Sequence, residues 1–406
     1  MGDRRTLKRK KTLYRIAVWV ALLAALALLA RLAPTLAKPE YLPADDFGHF
    51  WAAGRLNAQG QDPYQPQAIL DLLYQVGRPT ETSGVVSVML NPPWTLPLVM
   101  PFGLLNYPLS RLAWLMLTIA VMVLCAEQAW KLYNGPVQQR WVAWLLMISF
   151  APTISVLQKG QFTPLILLGL ILFAKWQRQP QRFWLAGAAL ALAAIKPQLA
   201  YLFWATFLLW SIQTRNWKTS LACGLTLTAA TLAALAFNPQ VLLQYQQSMG
   251  AFPLSEWATP ALGTYLRILL GLDKFWLQFA PMLAGLAWMA FYWRKHRHAW
   301  DWTQQLAPIL LTSLLTAPYY WTYDLVLLLP AVLFGGLLLL RPRLTWTTSL
   351  FWLIYAAISL LDLLLHRRLD ESWFGWVAPA VVLWCLAVCH LSPGAPPILA
   401  SDESPQ

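Results

Sequence analysis

Charge is what this sequence is short of. Asp, Glu, Lys and Arg make up 12% of its 406 residues, and 17 of these are acidic. That is about half the charge of an ordinary soluble domain, so most of the surface cannot face water and a soluble enzyme is excluded. Cysteine is also scarce. Cys125, Cys223, Cys385 and Cys389 all fall in apolar stretches, which leaves no disulfide framework. Cys385 and Cys389 are spaced to share a helix face, but no His or second Cys pair completes a metal set. Ten-residue alternating segments are absent, which argues against a membrane β-barrel. No repeat of 20–50 residues and no duplicated half is visible, and an inverted-repeat transporter would be expected to have one.

What is present is apolar: 58% of the residues are hydrophobic and 24 are Trp, many of them near the ends of apolar runs. A chain inside lipid must satisfy its own backbone polar groups, and a helix of ~20 apolar residues does so. The sequence therefore predicts an all-α integral membrane protein. The net charge of +13 does not point to nucleic acid, because of where it lies. Arg4, Arg5, Lys8, Arg9, Lys10, Lys11 and Arg15 precede the first apolar run, and other basic residues sit in short turns such as Arg294-Lys295-His296-Arg297-His298. This is the pattern of cytoplasmic loops of an inner-membrane protein.

Residues 1–15 read as a basic cytoplasmic N-terminus, and 16–30 as a retained first span. Residues 38–91 form the longest polar stretch, a first extracytoplasmic loop holding Glu40, Asp45, Asp46, Asp62, Asp71 and Glu81. Within it, 47–56 and 67–74 read as short amphipathic helices lying on the membrane surface. Apolar segments follow at 94–106, 109–130, 141–157, 162–176, 183–195, 199–211 and 219–237. After a second extracytoplasmic loop, 238–274, come 275–293, 303–316, 322–340, 347–363 and 373–391. Basic turns at 178–182, 215–218, 294–297 and 341–343 should be cytoplasmic. Two topologies satisfy them. In one, the segment from Pro92 is re-entrant and Lys196-Pro197 is an outer turn; in the other, 94–106 spans and 183–211 is one kinked helix. Each gives about twelve spans in a membrane domain over 16–391. A tail over 392–406, rich in Pro and Ser, is expected to be disordered.

The strongest chemical candidate is the carboxylate pair Asp45-Asp46 just past the first span, beside Phe47-Gly48-His49-Phe50-Trp51. A base working on a lipid-borne substrate needs access to both headgroups and water, and this position offers both. The same Asp could instead cap the helix that follows. Asp62-Pro63-Tyr64 reads as a turn, with Pro fixing φ and Asp capping it.

These residues resemble a known family. Asp46-Phe-x-x-Phe-Trp-Ala-Ala followed by Gly60-Gln61-Asp62-Pro63-Tyr64 resembles the start of glycosyltransferase family 87, membrane enzymes of the GT-C type that depend on polyprenyl-phosphate hexoses. Asn91-Pro92-Pro93-Trp94, with Pro97 and Pro101, is similar to its Tyr-Pro-Pro stretch, with Asn91 for the Tyr. Gly160-Gln161-Phe162, Leu185-Ala186-Gly187 leading to Ile195-Lys196-Pro197-Gln198, and Ala317-Pro318 through Tyr323-Asp324 resemble later elements, in order. Some members carry His near the end of the last motif, where this chain has Tyr323-Asp324.

The resemblance implies a GT-C bundle of about twelve transmembrane helices that moves a hexose, by family habit mannose, from a polyprenyl-phosphate donor to an extracytoplasmic glycan or glycolipid. An inverting transfer needs one base for the acceptor hydroxyl. A phosphate leaves without a proton donor, unlike the leaving group of an inverting glycosidase. The resemblance points to Asp46 as that base, with Asp45 as neighbour or fallback. The leaving phosphate needs a cation. Lys196 is the first candidate, because a lysine inside an apolar run costs ~2.5–3.5 kcal/mol on insertion scales and so faces a cavity or a partner. A snorkelling turn lysine is the alternative. Arg267 on the outer loop is the second candidate. Asp324, Gln161 and Tyr323 are expected to shape the sugar or acceptor site, and no cofactor or metal is expected. A lipid-linked oligosaccharide transporter or flippase, a non-catalytic envelope-assembly subunit, and another enzyme using lipid-linked sugars, such as a polymerase or ligase, remain the competing readings.

Overall fold

The computed structural model describes residues 46–77, 88–252, 254–340, 346–366 and 368–390. Every element in them is helical, and no strand occurs among the described residues. Among the described residues, six helices are long and apolar enough to cross a membrane: Tyr107–Leu132, Trp217–Phe237, Phe275–Ala299, Thr322–Leu340, Trp346–Leu365 and Glu371–His390. The number reaches eight if the bent pairs Val137–Ser149 with Ala151–Lys159 and Pro180–Ile195 with Pro197–Thr214 are each one span. The expected run over 16–30 and the basic turn over 341–343 lie outside the described residues.

Some of the helices begin at short polar residues that cap them. Asn106 accepts from the Leu109 amide at 3.0 Å ahead of Tyr107–Leu132, and Asp301 accepts from the Thr303 amide at 3.0 Å ahead of Trp302–Thr316. The centre of the bundle is Thr322–Leu340, of which 94% of the apolar window is buried. Peripheral helices turn apolar side chains outward instead. Examples are Leu112, Met116 and Leu124 on Tyr107–Leu132, and Leu353, Leu360 and Leu364 on Trp346–Leu365. Apolar stripes of this kind suit contact with lipid.

The bundle has two chemically different ends. At one, the basic turns over 178–182, 215–218 and 294–297 meet. Arg178 pairs with Asp301 at 3.4 Å, Gln213 donates to the Arg297 carbonyl at 2.8 Å, and Asn216 reaches Gln177 at 3.5 Å. Helix Thr163–Trp176 leads from these turns to the other end; its 14 residues span about 21 Å at 1.5 Å per residue. The far end gathers Asp46, Gln161, Lys196 and the start of Thr322–Leu340.

Of the two topologies, the structure agrees with the one that has a short segment from Pro92 and a turn at Lys196, and one expectation, the surface helix over 47–56, changes. The segment over 94–106 is a short 3₁₀ turn, Pro93–Thr95, and an eight-residue helix, Leu96–Gly103; at about 12 Å it is too short to span. The two halves of 183–214 bend by 116° at Lys196, a change of direction rather than a proline kink. Helix Phe47–Ala58 is not a surface helix, since nine of its twelve residues are buried. Glycines allow that burial: a Cβ on Gly54 would stand 2.6 Å from the Val99 carbonyl oxygen, and one on Gly103 would collide with the Arg55 backbone. The backbones of Phe47–Ala58 and Leu96–Gly103 therefore touch directly. The expected helix over 67–74 does form, as Pro66–Gln75, with Ile69 and Leu73 inward and Tyr74 exposed.

Candidate active site

Asp46 sits at the first turn before helix Phe47–Ala58, but its carboxylate does not cap that helix. Its backbone N–H donates to the Lys159 carbonyl at 2.8 Å, and its Oδ2 accepts from Gln161 Nε2 at 2.6 Å. Aromatic packing fixes this corner: Phe47 stacks on Trp114 at 5.1 Å, and Phe50 packs on Phe162 at 4.3 Å.

Gln161 reaches Asp46 because of the residue before it. Gly160 closes helix Ala151–Lys159 at φ 71°, a left-handed conformation that glycine adopts without a Cβ penalty. Trp114 Nε1 donates to the Gly160 carbonyl at 2.8 Å and holds the turn in place. The Gln161 amide then bridges two charges. Its NH₂ faces the Asp46 carboxylate, and its Oε1 accepts from Lys196 Nζ at 3.0 Å. An amide has donors on one atom and acceptors on the other, so these partners fix its orientation.

Lys196 occupies the break between the 3₁₀ turns Ala191–Ile195 and Pro197–Ala200. Its ammonium donates to Gln161, pairs with Asp324 Oδ1 at 3.0 Å, and lies 4.7 Å from the centroid of the Tyr323 ring. With 12% of its side chain exposed, it is partnered inside the protein and does not snorkel to headgroups. Two earlier motifs hold the break. Asn91 Nδ2 donates to the Ile195 carbonyl at 3.4 Å, and Trp94 Nε1 donates to the Ala194 carbonyl at 3.0 Å. The Tyr64 hydroxyl in turn donates to the Asn91 carbonyl at 3.1 Å. Asp62 accepts from the Tyr64 amide at 2.9 Å, the turn read from Asp62-Pro63-Tyr64.

Asp324 is 1% exposed and its oxygens have partners. Oδ1 accepts from Thr163 Oγ1 at 2.6 Å and from Lys196, while Oδ2 accepts from the Trp321 amide at 3.0 Å. It is therefore both a helix cap and the counter-ion of Lys196. Nearby, burial pushes the Tyr319 hydroxyl up to about 12, with Tyr245 and Asp324 adding to the effect, so it stays a neutral hydrogen-bonding group at neutral pH.

The residues Asp46, Gln161, Lys196, Asp324 and Tyr323 are thus brought together. Arg267 belongs elsewhere. Its guanidinium donates to the carbonyls of Ser255 at 2.6 Å and Leu272 at 3.0 Å, and to Gln278 Oε1 at 3.3 Å. Gln278 donates to the Pro318 carbonyl. Arg267 braces the 255–278 segment against the 318–324 segment, one step behind the site. Asp45 lies outside the described residues. Thr163, which holds Asp324, was not singled out by sequence reasoning, although it stands directly after Gly160-Gln161-Phe162. Among the described residues, no group of three His, Cys, Asp or Glu side chains could hold a metal ion.

The model of glycosyltransferase family 87 matches residues 89–318 of the chain. That stretch contains Asn91, Gln161 and Lys196; Asp46 and Asp324 flank it. A protein of Mycobacterium tuberculosis named polyprenol-phosphate-mannose-dependent alpha-(1-2)-phosphatidylinositol mannoside mannosyltransferase is 29% identical over 376 residues, which cover 81% of this chain and 84% of that protein. No solved structure gives a significant match.

Proposed function

Because the chain belongs to glycosyltransferase family 87, we propose that it transfers mannose from a polyprenyl-phosphate carrier to an acceptor glycan or glycolipid, with inversion at the anomeric carbon. The observation that carries this reading is the continuous path from Asp46 through Gln161 to Lys196. It sets a carboxylate and an ammonium on either side of one neutral amide, as a transfer between a hydroxyl and a phosphate leaving group requires. The name of the mycobacterial relative supports the choice of donor.

In this mechanism the Asp46 carboxylate takes the acceptor hydroxyl proton as that oxygen attacks the anomeric carbon. The bond from that carbon to the phosphate oxygen breaks, its electron pair stays on the phosphate, and Lys196 stabilises the charge that develops there. Gln161 orients both groups and offers hydrogen bonds to sugar hydroxyls. Asp324 holds Lys196 in place, and Tyr323 lies against it. Since the leaving group needs neither a proton nor a Lewis acid, transfer should be metal-independent.

The basic turns gather at the end of the bundle away from Asp46. By the positive-inside rule that end is cytoplasmic and the site opens extracytoplasmically. A GT-C bundle of about twelve spans, with 38–91 and 238–274 as outer loops and 392–406 as a cytoplasmic tail, is the arrangement we propose in an inner membrane.

The test is a donor screen with the full chain in proteoliposomes. Polyprenyl-phosphate mannose should be consumed, polyprenyl phosphate released, and turnover should survive EDTA. A diphosphate product would favour a ligase, and movement of the donor across the bilayer without release would favour a flippase. Loss of activity in EDTA that Mg²⁺ or Mn²⁺ restores would contradict the metal-free step.

A further inference from the structure

A second ionic cluster stands beside the site, and the mechanism above makes no use of it. Asp362, in the last turn of Trp346–Leu365, is 1% exposed. Its Oδ1 lies 3.1 Å from His366 Nδ1, and the other ring nitrogen, Nε2, lies 3.1 Å from Glu371 Oε1. Both imidazole nitrogens thus face carboxylate oxygens, an arrangement that suits a ring carrying both protons. Glu371 also grips Thr322: it accepts from the Thr322 hydroxyl at 2.8 Å and from the Thr322 amide at 3.2 Å. The Thr322 Oγ1 is itself 3.0 Å from His366 Nε2. Thr322 opens the 3₁₀ segment Thr322–Leu328, whose next two residues are Tyr323, under Lys196, and Asp324, its counter-ion.

We infer that Asp362, His366 and Glu371 form a positioning unit that fixes Thr322, and through Tyr323 and Asp324 sets where the Lys196 ammonium points. None of the three touches the reacting atoms; their effect runs through the backbone at Thr322. The inference extends the reading of Lys196 as the phosphate partner and rests on it for its kinetic part.

The geometry of the unit explains its rigidity. His366 packs on the Phe374 ring at 4.1 Å. The Tyr265 hydroxyl bonds the Ser372 carbonyl and accepts from the Gly375 amide at 3.2 Å, so the outer loop clasps the short turn that carries Glu371. Among the described residues, the titratable groups facing His366 are Asp362, one turn earlier, and Glu371 on the turn that follows; Arg368 and Asp370 are exposed. Burial alone would lower the His366 pKa, but hydrogen bonds and charge from Asp362 and Glu371 outweigh it and raise it to about 9. A raised pKa in a cation means its contribution is fully present below the ordinary value near 6.5 and is lost as pH climbs through about 9. The unit should therefore hold at neutral pH and loosen in alkali.

The experiment uses the full chain in nanodiscs, with Glu371→Ala, Glu371→Gln and His366→Gln. The first arm needs no substrate: amide hydrogen exchange over peptides covering 319–326. Glu371→Ala should lose protection at those amides, as should wild type at pH 10 after correction for intrinsic rates. Unchanged exchange would overturn the unit. The second arm is kinetic. Donor KM should rise in Glu371→Ala on the order of 10-fold, the scale of a misplaced binding group, with less change in Glu371→Gln, whose side-chain carbonyl still accepts from Thr322. The alkaline limb of kcat/KM, centred near pH 9 in wild type, should vanish in His366→Gln. A purely structural role would lower yield or melting temperature and leave donor KM and the pH limb alone, and that result overturns the link to Lys196. If Glu371→Ala does not fold, the exchange and pH profiles of Glu371→Gln and His366→Gln decide. A wild type inactive on lipid-linked mannose would refute the proposed function and leave the exchange arm to judge the unit.

Discussion

At the scale of single residues, Lys196 is the hinge of the account. Its ammonium has three partners within the protein, Gln161, Asp324 and the Tyr323 ring. Replacing it with Ala leaves a buried carboxylate without its cation, a change that typically costs about 3–5 kcal/mol, and removes the group assigned to the donor phosphate. Lys196→Ala should therefore raise donor KM or abolish turnover, while Lys196→Arg keeps the charge and retains part of the activity. Steady-state kinetics against donor concentration check this, and an unchanged KM in the Ala variant excludes the role. Lys196 was legible in the sequence because a lone lysine in an apolar run demands an explanation. Arg267 looked equally available, yet its donors turn inward to Ser255, Leu272 and Gln278. Sequence spacing carries no sign of that, because the carbonyls it serves come from a loop whose path is set by tertiary packing. Asp362, His366 and Glu371 went unnoticed for a related reason. They straddle a helix end and a turn, and nothing in their order says that Thr322, more than forty positions earlier, is their target.

At the scale of elements, turns rather than helices build the site. Gly160 at φ 71° and the break at Lys196 present side chains sideways from segments that would otherwise run on as helix. An alanine at position 160 would have to enter the left-handed region at a cost of about 1–2 kcal/mol, or unwind the turn and withdraw Gln161 from Asp46. Gly160→Ala should lower both melting temperature and kcat/KM, and Gly160→Asn should be milder, since Asn tolerates that region better. Thermal unfolding in detergent and donor kinetics measure the two effects; full activity in Gly160→Ala would mean the turn does not set Gln161. Helix existence was readable from apolar run length, but helix placement was not. The segment over 47–56 carries His49 and Arg55 among apolar residues and so resembles a surface helix. Its burial depends on Gly54 and Gly103 letting two backbones touch, a contact between distant segments.

At the scale of the whole molecule, the basic turns and the carboxylate site occupy opposite ends of one helical bundle, and the family's ordered motifs converge at the acidic end. The proposed sidedness can be tested on this separation. Asp273 and Arg297 are both exposed. In intact cells, Asp273→Cys should react with a membrane-impermeant maleimide, and Arg297→Cys should react only after permeabilisation; the reverse labelling would invert the topology. The central claim is that segments more than a hundred residues apart assemble one transfer site with Asp46 as its base. Initial rates of mannosyl transfer by wild type and Asp46→Asn, at matched amounts of folded protein and saturating donor, test it most directly. The account predicts a fall in kcat of ~10²–10⁴-fold with donor KM little changed, because Asn keeps the hydrogen bond to Gln161 but cannot take the proton; a wild-type rate in Asp46→Asn would contradict it.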